Sequence, residues 1–140
     1  KNSESKFISR GDDSGTHKME LALWLQADQT PKNFSVNWYW EVDAGMGAAL
    51  NMASELSAYV ISDRASWLNF GRKGDLDILF EGDEKLFNQY SYLPISKEKY
   101  PNIAYKNARL VEDWLVSSKA GHLMQNYKIR GQNLFFPNSK

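Results

Sequence analysis

Cysteine is absent from the chain, which excludes thiol catalysis but leaves the redox compartment open, since exported and internal proteins alike can do without it. Histidine is scarce: His17 and His122 stand far apart with no ligand spacing, which argues against a transition-metal site. Charge of one sign is not in excess. Seventeen Lys and Arg balance seventeen Asp and Glu, so nothing in the net charge draws the chain to nucleic acid or an anionic membrane. No apolar run approaches the length of a transmembrane helix, and no secretion leader stands at the N-terminus. Lys18 lacks the preceding glycines of a Walker loop. Ser14-Gly15-Thr16 lacks the flanks of a nucleophile elbow, and no Ser-His-Asp set is visible. Asp12, Asp13 and Glu20 could be read as an acidic metal site, but Arg10 and Lys18 among them argue against it. No metal, cofactor or enzymatic activity is expected.

What the chain does hold is one domain's worth of residues, 140, of which 42% are hydrophobic and five are tryptophan. That is enough for a core and too apolar for disorder. The stretch from Phe7 to Glu20 reads as strand, polar loop and helix start. Phe7-Ile8 ends a strand; Arg10 and a Gly-Asp turn follow; Ser14-Gly15-Thr16 opens a run without Gly or Pro that reaches Ala27. A helix start carries unpaired backbone N–H groups and the positive end of the helix dipole. Hydroxyls at Ser14 and Thr16, a close backbone approach at Gly15 and the guanidinium of Arg10 add donors around one point, and such a point suits an oxyanion. The plainer alternative is a helix cap on Asp13 or Ser14, with Arg10 paired to a nearby carboxylate. Arg10-Gly11-Asp12 is also the cell-adhesion tripeptide, a pattern short enough to recur by chance.

Further along, Asp43-Ala44-Gly45-Met46-Gly47 is a second Gly-rich turn leading into a helix, Ala48 to Leu56, whose Ala49, Met52, Ala53 and Leu56 form one apolar stripe. Gly45 and Gly47 let the backbone come near a ligand or another strand. Between the two turns, the helix Thr16 to Ala27 is apolar on several faces and is expected to be buried against more than one neighbour. Pro31 lies in the loop after it. Trp38 to Val42 reads as a strand, with Trp38 and Trp40 expected on one face in sheet packing rather than in a sugar platform. Ala58 to Ser62 is a short buried strand. Asp63 should cap a helix from Arg64 to Phe70, with Arg64 in a salt bridge or reaching the cleft. Leu76 to Phe80 and Tyr90 to Ile95 read as two further strands, the latter an edge strand or hinge because of Pro94. Ala104, Ala108, Val111 and Leu115, widened by Leu110 and Trp114, then stripe a helix. A second helix, begun by Ser117 or Ser118, runs Lys119 to Tyr127 with Leu123 and Met124 inward. The tail Leu134-Phe135-Phe136 is too apolar to float free.

The run Ser9-Arg10-Gly11-Asp12-Asp13-Ser14-Gly15-Thr16-His17-Lys18, followed by Gly45-Met46-Gly47-Ala48-Ala49-Leu50-Asn51, resembles the periplasmic tungstate-binding proteins of ABC importers. The likeness continues through Asp63-Arg64, Glu81-Gly82-Asp83, Asp113-Trp114-Leu115 and the ending Leu134 to Asn138. The Arg-x-x-x-Ser-Gly-Thr pattern also resembles phosphate-binding proteins. The resemblance implies an α/β fold of the type II periplasmic-binding-protein kind. It would be one lobe with a mixed sheet flanked by helices, and a C-terminal helical segment that rejoins a first lobe missing from this chain. Residues 1–92 would be the second lobe and 93–140 the return segment. Members of the family are about twice as long, and their anion-binding Thr/Ser-rich first-lobe loop has no match here. The polar lead at residues 1–6 just before the motif fits a C-terminal part.

By the same resemblance the ligand is tungstate, or molybdate, delivered to the membrane permease of an ABC importer in a periplasmic or extracytoplasmic setting. The ligand-binding residues would be Arg10, Ser14, Gly15, Thr16, Gly45, Met46 and Gly47. Ala49 stands where the family has Thr, which puts a hydroxyl contact there in doubt. The alternatives are a phosphate or sulfate receptor of the same fold, and the effector-sensing domain of a transcription regulator, although neither a basic patch nor a helix-turn-helix is visible. Asp13 is expected to face the helix start and accept backbone N–H bonds; Asp12 should face solvent or pair with a Lys or Arg. A homodimer of the chain, with or without exchanged segments, would cover apolar surface left by an absent first lobe.

Overall fold

A computed structural model describes residues 5–138; most of the polar lead, residues 1–4, lies outside them. Strand β1 (Phe7–Ser9) leads to helix α1 (Gly15–Gln26), a short 3-10 turn at Pro31–Asn33 and strand β2 (Tyr39–Glu41). Helix α2 (Met46–Leu56), strand β3 (Tyr59–Val60) and helix α3 (Arg64–Asn69) complete the α/β part. Beyond a 3-10 turn at Glu84–Leu86 come α4 (Tyr105–Leu115), α5 (Ser118–Asn126) and a small antiparallel ribbon, β4 (Lys128–Ile129) with β5 (Gln132–Asn133). The described residues fall into two compact units, one ending at Asn88 and the other beginning at Gln89.

In the first unit the strands lie in the order β2-β1-β3, and both pairings are parallel. The expected mixed sheet is thus parallel throughout, because each strand is reached through a helix. A helical crossover returns the chain in the same direction. Side chains alternate between the faces of each strand. Phe7 and Tyr39 stack with ring centroids 5.8 Å apart, and Trp24 of α1 meets Phe7 edge-on at 5.2 Å. On the other face Ile8 packs with Met46, Ala49, Leu50 and Ala53 of α2 and with Ala58 in the buried core. The expected α2 stripe is therefore the main wall of the core. Small residues at 49 and 53 let that helix lie close to the sheet.

Trp38 and Trp40 do not share a face. Trp38 stands in the turn before β2, its ring 4.6 Å from Phe34, whereas Trp40 packs against the α2 core. α1 is less enclosed than its composition suggests: its buried residues are His17 and Glu20, and Leu25 is exposed. Glu20 accepts from the Tyr39 hydroxyl at 2.7 Å and from the Trp24 indole at 3.1 Å, pinning α1 to β2. Burial, and then the neighbouring Glu20 carboxylate, push the Tyr39 phenol above its ordinary pKa.

The two strands expected at Leu76 to Phe80 and Tyr90 to Ile95 are absent; neither stretch joins a sheet among the described residues. Ile78, Leu79, Phe80, Tyr90, Leu93 and Ile95 are all exposed. Strand-forming side chains make a strand only where a neighbouring ladder takes their N–H and C=O groups, and no described strand lies beside them.

Helix starts follow the sequence closely. Asp63 accepts from Ser66 N at 2.8 Å and Ser117 from Ala120 N at 3.2 Å. In the second unit Leu123 is exposed rather than inward, as are Leu110, Val111 and Trp114, and the buried apolar residues are Ala120 and Leu134. Phe135 meets Tyr90 edge-on at 5.9 Å. No helix among the described residues is long and apolar enough to cross a membrane.

Leu50 is only 1% exposed at the centre of the core. Leu50→Ala should destabilise the chain by about 2–5 kcal/mol through lost burial and the cavity left behind. Urea unfolding should show a lower midpoint at unchanged slope.

Candidate oxyanion site

β1 and β2 are adjacent, yet their following helices pack on opposite faces of the sheet. Their C-terminal ends therefore send loops to both faces at the carboxyl edge of the sheet, the edge at which open α/β sheets bind ligands. Both Gly-rich turns stand there and touch. Ala44 N donates to Arg10 O at 3.3 Å, and Val42 N to Ser9 O at 3.0 Å. Gly11 permits this approach: its φ is +66°, and a Cβ would lie 2.9 Å from Glu41 Cβ and 3.3 Å from Asp43 N.

At the first turn Ser14 is the N-cap, its hydroxyl accepting from His17 N at 3.3 Å. Lys18 N donates to Ser14 O at 2.8 Å and opens the intrahelical ladder. The amides of Gly15 and Thr16 are left at the bare helix start, as the first turn of any helix leaves them. The second turn has Gly45 at the N-cap with no side chain to offer. Ala48 and Ala49 both donate to Gly45 O, at 3.0 and 3.3 Å. The amides of Met46 and Gly47 are left over in the same way. The structure thus brings the expected residues Arg10, Ser14, Gly15, Thr16, Gly45, Met46 and Gly47 to one sheet edge, with two helix N-termini carrying positive dipole ends. Met46 contributes backbone only, since its side chain is in the core.

Asp12 pairs with an arginine as expected, but it also takes the backbone amide expected for Asp13. Asp12 takes the turn amide, Oδ1 accepting from Ser14 N at 3.2 Å, while Oδ2 pairs with Arg10 Nη2. Hydrogen bonding from the Ser14 side chain, then from its backbone amide and from Arg10, holds Asp12 below the usual carboxylate range. Asp13 is exposed, lies at φ 55° and pairs with Lys18 at 3.2 Å. A short side chain two residues before an amide reaches it more readily than the residue immediately before, which is why the Asx-turn falls to Asp12. Arg10 Nε is buried with no protein acceptor.

Ala49 is fully buried, so its missing hydroxyl concerns the core rather than the sheet edge. Arg64 pairs with Glu81 at 2.8 Å. Two residues not foreseen as site residues also belong to the loop. Ser9, fully buried, accepts from Gly11 N at 3.3 Å. His17 Nδ1 accepts from Asp13 N at 3.0 Å. The spacing Ser14-x-x-His17, that of a capping box, was a usable signal for the second. No group of three or more His, Cys, Asp or Glu that could hold a metal occurs among the described residues.

The sequence profile of the PBP superfamily domain matches residues 1–119. The chain belongs to that superfamily. Relatives of this PBP-superfamily chain include the tungstate-binding protein TupA of Peptoclostridium acidaminophilum, 45% identical over 96% of the chain and 46% of the relative. Among solved structures, the tungstate-binding protein TupA of Desulfovibrio alaskensis G20 superposes with a TM-score of 0.82 at 34% identity, covering 98% of this chain and 56% of that one. A structure described as the tungstate ABC transporter from Geobacter sulfurreducens gives 0.73 at 39% identity, covering 88% and 51%. The chain thus spans about half the length of the proteins it matches.

Proposed function

We propose that this chain is the C-terminal part of an extracytoplasmic solute-binding protein, which captures an oxyanion, tungstate or molybdate, for the permease of an ABC importer. The observation that carries this reading is the junction of two helix starts, the first capped only by Ser14 and the second with no side-chain cap. The amides of Gly15, Thr16, Met46 and Gly47 stand with Arg10 on loops joined by the Ala44–Arg10 hydrogen bond. Such a set offers donors and positive dipole ends to an anion and supplies no nucleophile or general base, so the role is binding rather than catalysis. The relatives described as tungstate-binding support the choice of ion.

In this reading residues 1–92 form the second lobe and 93–140 the return segment of the first. The sparse burial in the second unit supports the assignment, because helices with exposed Leu110, Trp114 and Leu123 need a further surface to cover them. In the chain taken by itself, a homodimer would cover that surface.

A two-lobed receptor surrounds its ion with donors from both sides and excludes water, which strengthens every bond. The chain alone should therefore bind tungstate weakly, and joining it to a first lobe should tighten binding. Calorimetric titration of both forms tests this; submicromolar binding by a monomer of the chain alone would show that a second wall is unnecessary.

A further inference from the structure

We propose that His17 is the positioning residue of the oxyanion loop, a neutral latch that fixes Asp13 and the α1 start without placing a negative charge beside the ligand. The proposal rests on the oxyanion reading of this loop. Ser14 is the N-cap of α1, which makes His17 the third helical residue. In a capping box that position holds Glu or Gln, whose side chain reaches back to a backbone N–H while the cap hydroxyl bonds the N–H of the third residue. Both halves are present here. Ser14 Oγ accepts from His17 N at 3.3 Å, and His17 Nδ1 accepts from Asp13 N at 3.0 Å.

Two features set this latch apart from an ordinary cap. The bond goes to Asp13, one residue before the cap, because the Ser14 amide is already taken by Asp12 Oδ1. It therefore ties down a non-glycine residue at φ 55°, a backbone conformation that needs support from its surroundings. The acceptor is also an imidazole. A ring nitrogen that accepts an N–H bond carries no proton, so the ring proton resides on Nε2 and the side chain is neutral. A glutamate would make the same bond while placing a full negative charge one turn from the Gly15 and Thr16 amides, where it would repel an arriving dianion. Nε2 is buried without a hydrogen-bond partner and lies 3.9 Å from Glu41 Oε1, beyond hydrogen-bond reach. His17 itself is only 8% exposed, so it acts through the loop and not by touching the ligand. Of the charged groups, Glu41 on β2 lies near its Nε2; Asp13, whose amide it holds, pairs with Lys18, and Asp12 of the same loop pairs with Arg10.

The test uses the chain with His17→Gln, His17→Glu and His17→Ala. Tungstate is titrated to millimolar concentration and followed at the Ser14 and Gly15 amide resonances. His17→Gln, which restores a neutral acceptor, should bind within about threefold of the parent. His17→Ala should lose about tenfold, the equivalent of one net hydrogen bond. His17→Glu should protect the Asp13 amide from exchange as well as His17→Gln does, yet bind more weakly than it. Equal binding by the parent and His17→Ala overturns the latch, as does a folded His17→Gln no better than His17→Ala. Imidazole nitrogen spectra of the parent provide an arm without ligand: a proton on Nε2 alone supports the latch, and a proton on Nδ1 overturns it. If the parent shows no response to tungstate, the oxyanion reading fails. The latch is then decided by the Asp13 amide, whose protection must fall in His17→Ala and return in His17→Gln.

Discussion

Replacing Arg10 with alanine should weaken tungstate binding by the two-lobed receptor about ten- to a hundredfold or more, since a hydrogen bond to a charged group contributes about 1.5–3 kcal/mol. Arg10 is the permanent positive charge built into the first turn, and it does two things there. Its Nη2 neutralises Asp12, and its Nε, buried without a protein acceptor, is the donor that the proposed site leaves for an anion. Alanine at this position removes the donor and also leaves the Asp12 carboxylate uncompensated beside the α1 start. The double change Arg10→Ala with Asp12→Asn separates these effects. The part of the loss that it recovers is repulsion by bare Asp12, and the remainder is lost contact with the ion. Titration calorimetry giving an unchanged affinity for Arg10→Ala would remove Arg10 from the site.

Phosphate should fail to displace tungstate at comparable concentration near neutral pH. Tungstate, molybdate and sulfate carry no proton there, whereas a large share of phosphate does. A phosphate-selective site benefits from a carboxylate that accepts that proton, and the same carboxylate repels a bare dianion. In the first turn both aspartates are committed elsewhere. Asp12 accepts from Ser14 N and pairs with Arg10, and Asp13 lies exposed against Lys18. The turn therefore offers donors alone. Within the donor-only group the larger tungstate and molybdate should outcompete sulfate if the two glycine turns stand far enough apart. Competition binding on the two-lobed protein is the measurement, and effective competition by phosphate would promote the phosphate-receptor alternative.

The helices and their starts were legible because their causes are local. Ser14, Asp63 and Ser117 each accept an N–H three residues ahead, and the α2 stripe is the helical spacing of Ala49, Met52, Ala53 and Leu56. The donor set was legible for the same reason, since a helix start announces its own unpaired amides. Leu76 to Phe80 and Tyr90 to Ile95 misled because a strand's hydrogen bonds belong to its neighbour, and composition does not reveal whether one is there. Trp38 and Trp40 misled because alternation was applied one residue beyond the strand, which begins at Tyr39.

The sequence by itself determined two helix N-termini after two strands, an arginine beside the first, and a family resemblance strong enough to name an oxyanion. Those properties follow from residue order within a dozen positions. Only the tertiary structure decided that the two starts share one edge. That depends on β2 pairing with β1 and on α1 and α2 taking opposite faces of the sheet. It also decided the division of labour inside the loop, with Asp12 on the Ser14 amide and Arg10, and His17 on the Asp13 amide. Several acceptors competed for those few N–H groups, and φ angles and distances, which one-dimensional order does not contain, selected among them.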